Sequence, residues 1–483
     1  MSKFVQEIKF KKKKDYKLLP FKFDLIHDDS YLITNLVGEF LFIKKKDLND
    51  LVNNKIDVSN KLYSQLRSKH FLYDDLSSIN INLLSIKYRT KFSRYSGFTS
   101  LHIFVVTLRC EHSCPYCQVS RKTENKFDFD MSKETAIKSL DLVFKSPSKN
   151  IKIEFQGGEP LLNFDLIKFI VIEAKKRNTK NINLAFVIAT NLALINNEIL
   201  EFCMLHDIQI STSLDGPREL HNKNRPRPGK NSYEKTIEGI KKSREVLGVN
   251  NINALMTTTQ DSLNSVKDII DEYIQNNFNG IFLRPLSPYG FAIKTKKMES
   301  YNISSWLDFF KEGFEYIISL NKKGINFQEF YSSIIAKKIF TLDDPGYVDL
   351  STPSGIGIGV LLYNYDGDIY ASDESRMLAE MKDKKFLIGN AEKNTYEEII
   401  TNEALLDPLF DSYTYSVPMC NDCAYENYCG SDPVYHYATQ SDFVGKKPFS
   451  GFCNRNLSVF RYLFSKIEND KYIKNLLEEW ALH

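Results

Sequence analysis

The chain has 483 residues, 42% of them apolar and 26% charged, which excludes a fibrous or disordered polymer and suits a globular protein of two or three domains. A net charge of +3 is too mild to argue for a nucleic-acid partner, and no apolar run is long enough to cross a bilayer. Met1 to Phe4 lead into Lys9 and Lys11 to Lys14 rather than an apolar stretch, so no secretory signal is read and a cytoplasmic protein is expected.

Residues 1–95 open with that basic stretch, expected to be a solvated tail that could also attract an acidic peptide. Strand-like runs follow at Leu19 to Phe21, Tyr31 to Thr34 and Glu39 to Ile43, then helical patterns over Asp47 to Asn53 and Lys61 to Phe71. From 96 to 330, apolar strand candidates recur at Ile103 to Leu108, Ile151 to Phe155, Leu184 to Ala189, Ile208 to Ser213, Ile252 to Met256 and Gly280 to Leu283. Amphipathic helical stretches alternate with them at Lys133 to Phe144, Asp165 to Lys176, Glu198 to Leu205, Tyr233 to Leu247 and Leu263 to Asn276. Sixfold strand–helix alternation predicts a parallel sheet, doubly wound or curled into a barrel, with its chemistry at the C-terminal strand ends. Over 331–483 the alternation stops, and a smaller irregular unit around a metal site is expected, closed by a helix near Leu457 to Trp480.

Cysteines in a reducing compartment point to metal or catalysis when they cluster. Seven of the eight do, while Cys203 sits alone in an apolar segment and reads as a buried structural thiol. Cys110, Cys114 and Cys117 follow the first barrel strand. Three thiolates can hold one corner of a cubane and leave an iron open. Cys420, Cys423, Cys429 and Cys453 make a set of four, enough for a cubane or for tetrahedral zinc, and spacing does not separate the two.

The C-x3-C-x2-C spacing at 110–117, with Gln156-Gly157-Gly158-Glu159-Pro160 after the next strand, resembles the radical S-adenosylmethionine (SAM) superfamily. The resemblance implies an α/β fold: a partial (β/α)6 TIM-like barrel carrying a SAM-binding [4Fe–4S] cluster on Cys110, Cys114 and Cys117. It further implies SAM cleavage to a 5′-deoxyadenosyl radical, which takes a hydrogen atom from substrate. By the same likeness Gly157, Gly158 and Glu159 face the SAM amino group, and Thr190-Asn191 closes the third strand. The run Ser213-Leu214-Asp215-Gly216-Pro217, followed by His221, Arg225, Ser232 and Tyr233, resembles the SPASM-containing branch, with Asn222 where Asp is usual. Ser213 and Arg225 are then candidates for SAM ribose or carboxylate contacts, with Arg227 as a competitor.

The C-terminal set resembles the auxiliary-cluster region of SPASM and twitch-type relatives, which implies a second [4Fe–4S] cluster. The full SPASM pattern has seven cysteines, but here Ser372 and Pro433 stand where cysteines are common, so one auxiliary cluster is expected. Asp373 occupies the place of an acid–base aspartate in some relatives, with Asp432 as an alternative. The order of elements in 1–95, with Leu19 to Phe23, Val37 to Phe40 and Ser372 to Leu378, resembles maturases of the His-Xaa-Ser peptide system. That implies a winged-helix-like unit capturing a precursor peptide as an added strand, an electron donor such as flavodoxin or ferredoxin, and no membrane partner. A formylglycine-generating sulfatase-type maturase is the second enzymatic reading. A zinc-stabilised binding protein is the non-enzymatic one. An RNA-modifying relative is disfavoured because no basic patch with interleaved aromatics accompanies the motifs.

Overall fold

A computed structural model describes residues 16–74, 78–119, 121–122, 125–294 and 302–482. Of the lysine run at 9–17, residues 9–15 lie outside the described residues, while Lys17 pairs with Tyr73 in a short antiparallel ladder instead of a solvated tail.

The N-terminal unit is a three-stranded antiparallel sheet in the order β1 (Phe21–His27), β2 (Ser30–Asn35), β3 (Phe40–Lys44), followed by helices α1 (Lys45–Val52), α2 (Lys61–Ser68) and α3 (Ile79–Phe92). Leu48, Leu51, Tyr63 and Leu66 bury the inner faces of α1 and α2 against Ile33 and Ile43, a core separate from the rest of the molecule. Helix α3 was not read from the sequence, and the reason is visible in its packing. It has no fully buried residue, and Ile79, Leu83 and Ile86 are exposed along one face.

The central sheet follows the alternation. Strands β4 (Leu101–Thr107), β5 (Asn150–Gly157), β6 (Asn183–Thr190), β7 (Ile208–Ser213) and β8 (Ile252–Leu255) lie parallel and in sequence order. Between them run α4 (Lys133–Val143), α5 (Phe164–Arg177), α6 (Asn197–His206) and α7 (Ser232–Leu247), with α8 (Val266–Gln275) after β8. Local chemistry sets the helix starts: Ser132 accepts from Thr135 N at 3.0 Å and Asn196 from Ile199 N at 2.9 Å. Phe104 stands opposite Phe155 across β4 and β5, the Phe186 ring of β6 stacks on Phe155 from a diagonal position, and the three bury the outer face under α4 and α5. Cys203, on α6, is fully buried in the same core.

The sixth strand candidate departs from expectation. Gly280–Ile281 pairs with Gln328–Glu329 in a separate two-stranded ladder, and its tie to the barrel is Thr258 N to Arg284 O at 2.9 Å. The sixth parallel strand of the large sheet comes instead from beyond residue 330. Strand β9 (Val360–Tyr363) pairs parallel with β4, and β10 (Asp368–Tyr370) and β11 (Leu387–Asn390) add antiparallel strands outside it. The fold is thus a mixed α/β partial barrel whose sheet is extended by its C-terminal part. Beyond it come α9 (Asp373–Glu380), α10 (Pro433–Gln440), α11 (Gly451–Asn469) and α12 (Lys471–Leu482), so two helices stand where one terminal helix was expected. No described helix is long and apolar enough to cross a membrane.

Candidate active site

The C-terminal ends of the parallel strands converge on one cavity of about 250 Å³. It is lined by Cys110, Cys114 and Cys117 from the loop after β4, Glu154, Gln156, Gly157 and Gly158 from β5 and its end, Thr190 and Asn191 at the end of β6, and Ser213 from β7. Arg225, Arg284 and Asp373 complete the wall.

The cysteine loop is rooted at its base by Arg109, whose Nε and Nη2 donate to the two Asp130 carboxylate oxygens at 2.7 and 2.6 Å. Its far end is tied down where Ser113 N donates to Pro226 O at 2.8 Å. Burial pushes the Cys110 thiol up, and that of Cys114 up to about 12 against the pull of Arg225. Thiolates at such sites form when a cation supplies the charge, so this donor set fits a metal cluster. Among the described residues no fourth cysteine lines the cavity.

The glycine pair has a structural cause that the sequence did not reveal. A Cβ on Gly157, where φ is +143°, would lie 1.9 Å from Thr107 O, and one on Gly158 would lie 2.1 Å from Arg109 O. The pair therefore lets β5 close onto the root of the cysteine loop, held by Gly158 N to Thr107 O at 2.8 Å and Glu159 N to Arg109 O at 2.7 Å. Glu159 is buried behind the cavity wall rather than on it. Its carboxylate accepts from Leu161 N at 3.0 Å, Thr190 Oγ1 at 2.6 Å and Asn191 N at 2.9 Å. Burial, then the Glu111 charge, pushes this carboxyl up to about 8. Thr190 and Asn191 do face the cavity, and Asn191 Nδ2 also donates to Glu111 Oε1 at 3.0 Å.

Arg225 lies on the cavity with its guanidinium over the Tyr116 ring at 5.5 Å and its Nε 3.1 Å from Asp215 Oδ2. Burial works against its charge, but Asp215 and Tyr116 hold the group strongly protonated. Tyr116 itself donates to Asp215 Oδ2 at 2.6 Å. Arg227 is turned away and bonds Asn231, so the two arginines are separated by geometry. Asp373, the first residue of α9, faces the cavity with Arg376 Nη2 at 3.6 Å from Oδ1. Asp432 lies outside this cavity and caps α10, accepting from Tyr435 N at 2.9 Å. Sequence reasoning missed Glu154, Gln156, Arg121 and Arg284. The first two follow from the twofold strand period, since 154 and 156 share one face of β5.

The C-terminal cysteines meet from two segments: a loop carrying Cys420, Cys423 and Cys429, and the first turn of α11, where Cys453 N donates to Ser450 Oγ at 3.1 Å. After burial, the charges of Cys423, Cys420 and Cys453 are what push the Cys429 thiol up, to about 12, so the four sulfurs share one neighbourhood. The N-terminal sheet grips this loop. Thr34 Oγ1 donates to Ala424 O at 2.8 Å, Tyr425 Oη to Asp24 Oδ2 at 2.8 Å, Asn427 Nδ2 to Asn35 O at 2.8 Å and Tyr428 Oη to Gly38 O at 2.7 Å. Lys22 pairs with Glu426. All five residues between Cys423 and Cys429 therefore bond to β1, β2 or the turn after β2.

Strand-end cysteines on a partial barrel define the class: residues 104–272 match the Radical SAM superfamily, so the chain carries a radical SAM enzyme domain, a fold that binds SAM and a [4Fe–4S] cluster. Among particular proteins, it is similar to a cysteine-type anaerobic sulfatase-maturating enzyme of Clostridium novyi, 24% identical over 378 residues that cover 74% of this chain and 93% of the relative. It is also similar to the radical SAM cyclopropyl synthase TigE of Paramaledivibacter caminithermalis, 28% identical over 51% of this chain and 52% of TigE. The chain spans about half the length of TigE and of another curated relative, 52% and 46%. A solved structure described as native anSMEcpe with bound AdoMet and Cp18Cys peptide shares the fold, with a TM-score of 0.62 and 17% identity over 79% of this chain and 99% of that one.

Proposed function

We propose that this chain is a radical SAM peptide maturase that acts in the cytoplasm on a ribosomally made precursor peptide or small protein, leaving a modified or cross-linked residue. The observation that carries the reading is the convergence of three thiols, a glycine pair, Ser213, Arg225 and Asp373 on one cavity at the strand ends. When bound, SAM supplies the radical that removes a hydrogen atom from the substrate. Cys110, Cys114 and Cys117 would hold the SAM-binding cluster. Gly157 and Gly158 give backbone access to the SAM amino group, and Ser213 and Arg225 orient its ribose or carboxylate. Thr190 and Asn191 shape the wall between them, with Glu159 fixing both from behind. Asp373 is the acid–base side chain.

Cys420, Cys423, Cys429 and Cys453 would hold an auxiliary [4Fe–4S] cluster that takes the surplus electron. Among the described residues the metal-ligating groups drawn within 4.8 Å of one another are Cys110, Glu111 and His112. The choice of a cubane over zinc at the C-terminal set rests on the resemblance of its cysteine spacing to SPASM-type relatives. The three-stranded sheet of residues 21–44 ends in β1 and β3, each paired on one side among the described residues, and a groove of about 360 Å³ runs beside β3 and α2. An edge of this kind suits capture of a leader peptide as an added strand. The sulfatase-maturating relatives favour a second reading, oxidation of a Cys or Ser side chain to formylglycine.

The test is to reconstitute the protein anaerobically with iron and sulfide, supply SAM and a reduced flavodoxin or ferredoxin, and offer the short peptide encoded beside the gene. A mass change in the peptide with one 5′-deoxyadenosine per event supports the maturase, and its value separates a cross-link from formylglycine. A colourless, zinc-loaded protein that forms no 5′-deoxyadenosine would sink it.

A further inference from the structure

Beside the main cavity lies a smaller chamber of about 30 Å³, walled by Arg284, Tyr289, Asp349, Glu374, Asp432 and Arg455 together with apolar and aromatic groups. That is room for a water or two. Arg284 belongs to both walls, and Asp373 on the main cavity is the chain neighbour of Glu374 in the chamber. On the far side Tyr331 Oη donates to Asn456 Oδ1 at 2.7 Å, and Asn456 Nδ2 faces Cys429 Sγ at 3.9 Å. The chamber thus stands between the two cysteine sets. It also lies where α9 and α10 begin, beside Ser372 and Pro433.

Its charges do not balance. Three carboxyls face two guanidiniums, so with every group ionised the half-buried chamber would hold an uncompensated negative charge, with Glu374 21% and Arg284 34% exposed. Asp349 Oδ2 accepts from Tyr347 Oη at 3.2 Å, and Asp432 Oδ1 accepts from Tyr435 N. Glu374 has only an ion pair to Arg284 Nη2 at 4.0 Å, beyond hydrogen-bond reach. The Tyr289 hydroxyl, on a residue 1% exposed, has no hydrogen-bond partner among the described residues. The chamber therefore has one half-buried acid crowded by two other carboxyls and one buried hydroxyl short of a partner.

We propose that Glu374 is a positioning residue for Asp373: the chamber keeps a proton on Glu374, so that a neutral acid rather than a second carboxylate stands behind the side chain lining the reaction cavity. This rests on the reading of Asp373 as the acid–base group. The groups facing Glu374 are Arg284 and Tyr289 after the barrel strands, Tyr331, Tyr347 and Asp349 from the following segment, Asp373 on its own helix, Asp432 and Tyr435 on α10, and Arg455 on α11. Burial first, then Asp349, Asp373 and Asp432, pushes the Glu374 carboxyl up to about 8, with Arg284 opposing. Above that value Glu374 ionises, sets a negative charge beside Asp373 and draws Arg284 toward the chamber.

Infrared spectroscopy of the full-length reconstituted enzyme tests this without a peptide substrate. At neutral pH the wild type should show the C=O stretch of a neutral carboxylic acid that Glu374→Gln lacks, fading as pH rises past about 8. In Asp373→Asn the same band should remain but titrate at lower pH, because one of the charges that hold the proton in place is gone. A wild type without the Glu374 band overturns the proposal, and so does an Asp373→Asn protein whose band titrates where the wild type's does. The peptide mass change reports separately on the maturase reading, so the two can fail independently.

Discussion

The two cysteine sets of this protein are held by opposite means. Cys110, Cys114 and Cys117 hang from one strand end, and the contacts that brace them come from the barrel itself: the Arg109–Asp130 pair below, Gly157 and Gly158 alongside, Pro226 above. Cys420, Cys423, Cys429 and Cys453 come from a loop and a helix, and their bracing arrives from about 400 residues away in sequence, through Lys22, Asp24, Thr34, Asn35 and Gly38. A site built on the mouth of a barrel inherits the rigidity of the sheet. A site built on a loop needs a second body pressed against it, and here that body is the unit proposed to bind the peptide.

The sharpest break in the comparison is a first-set ligand. Cys114→Ala should lower 5′-deoxyadenosine formation at least about a hundredfold in the reduced, reconstituted protein, since losing a ligand costs more than losing its outer support. Chromatography of the nucleoside products reads it, and a wild-type rate would refute the assignment of the site. Arg225→Ala leaves Asp215, which is fully buried, without its counter-charge. It should cost about 3–5 kcal/mol in chemical denaturation and weaken SAM binding by equilibrium dialysis.

At the second set, Cys423→Ala should spare uncoupled SAM cleavage but depress product formation, while iron falls from about eight to about four atoms per chain. Equal loss of both activities would mean that the two sets do not divide the labour as proposed. Asp24→Asn weakens the hold on Tyr425 and Arg461, whose Nε lies 2.7 Å from Asp24 Oδ2, and should cost about 1–2 kcal/mol. Its more telling effect is faster hydrogen exchange in residues 21–35, matched by stripping metal from the C-terminal cysteines with a chelator. Unchanged exchange after stripping would show that the hairpin does not lean on the metal site. Arg227→Ala marks the floor, within about 0.5 kcal/mol, because its partner Asn231 is local and polar.

Much of this was legible in the chain. Five of the six strand candidates of the barrel, the helices between them and both cysteine sets follow from periodicity and spacing, because each depends on residues close together in sequence. The misreadings share one cause. Gly280 to Leu283 has the composition of a strand but pairs with Gln328–Glu329, and β9, β10 and β11 were passed over as irregular although they complete the sheet. Helix α3 exposes the apolar face that would have marked it as a core element. Partner choice in a sheet is a non-local event that neither propensity nor alternation encodes.

The sequence by itself determined the class of chemistry, because sulfur ligands at short spacing after a strand, with a glycine pair on the next one, leave few other uses. Only the tertiary structure decided which groups face the cavity: Arg225 rather than Arg227, Asp373 rather than Asp432, and Glu159 behind the wall instead of on it. It also decided that the N-terminal sheet braces the distant cysteine loop and that Glu374 shares a chamber with Asp349 and Asp432. The physical reason is the same in each case. Covalent neighbours fix which side chains are available, whereas burial, charge balance and hydrogen-bond partners are properties of segments that meet only when the chain has folded.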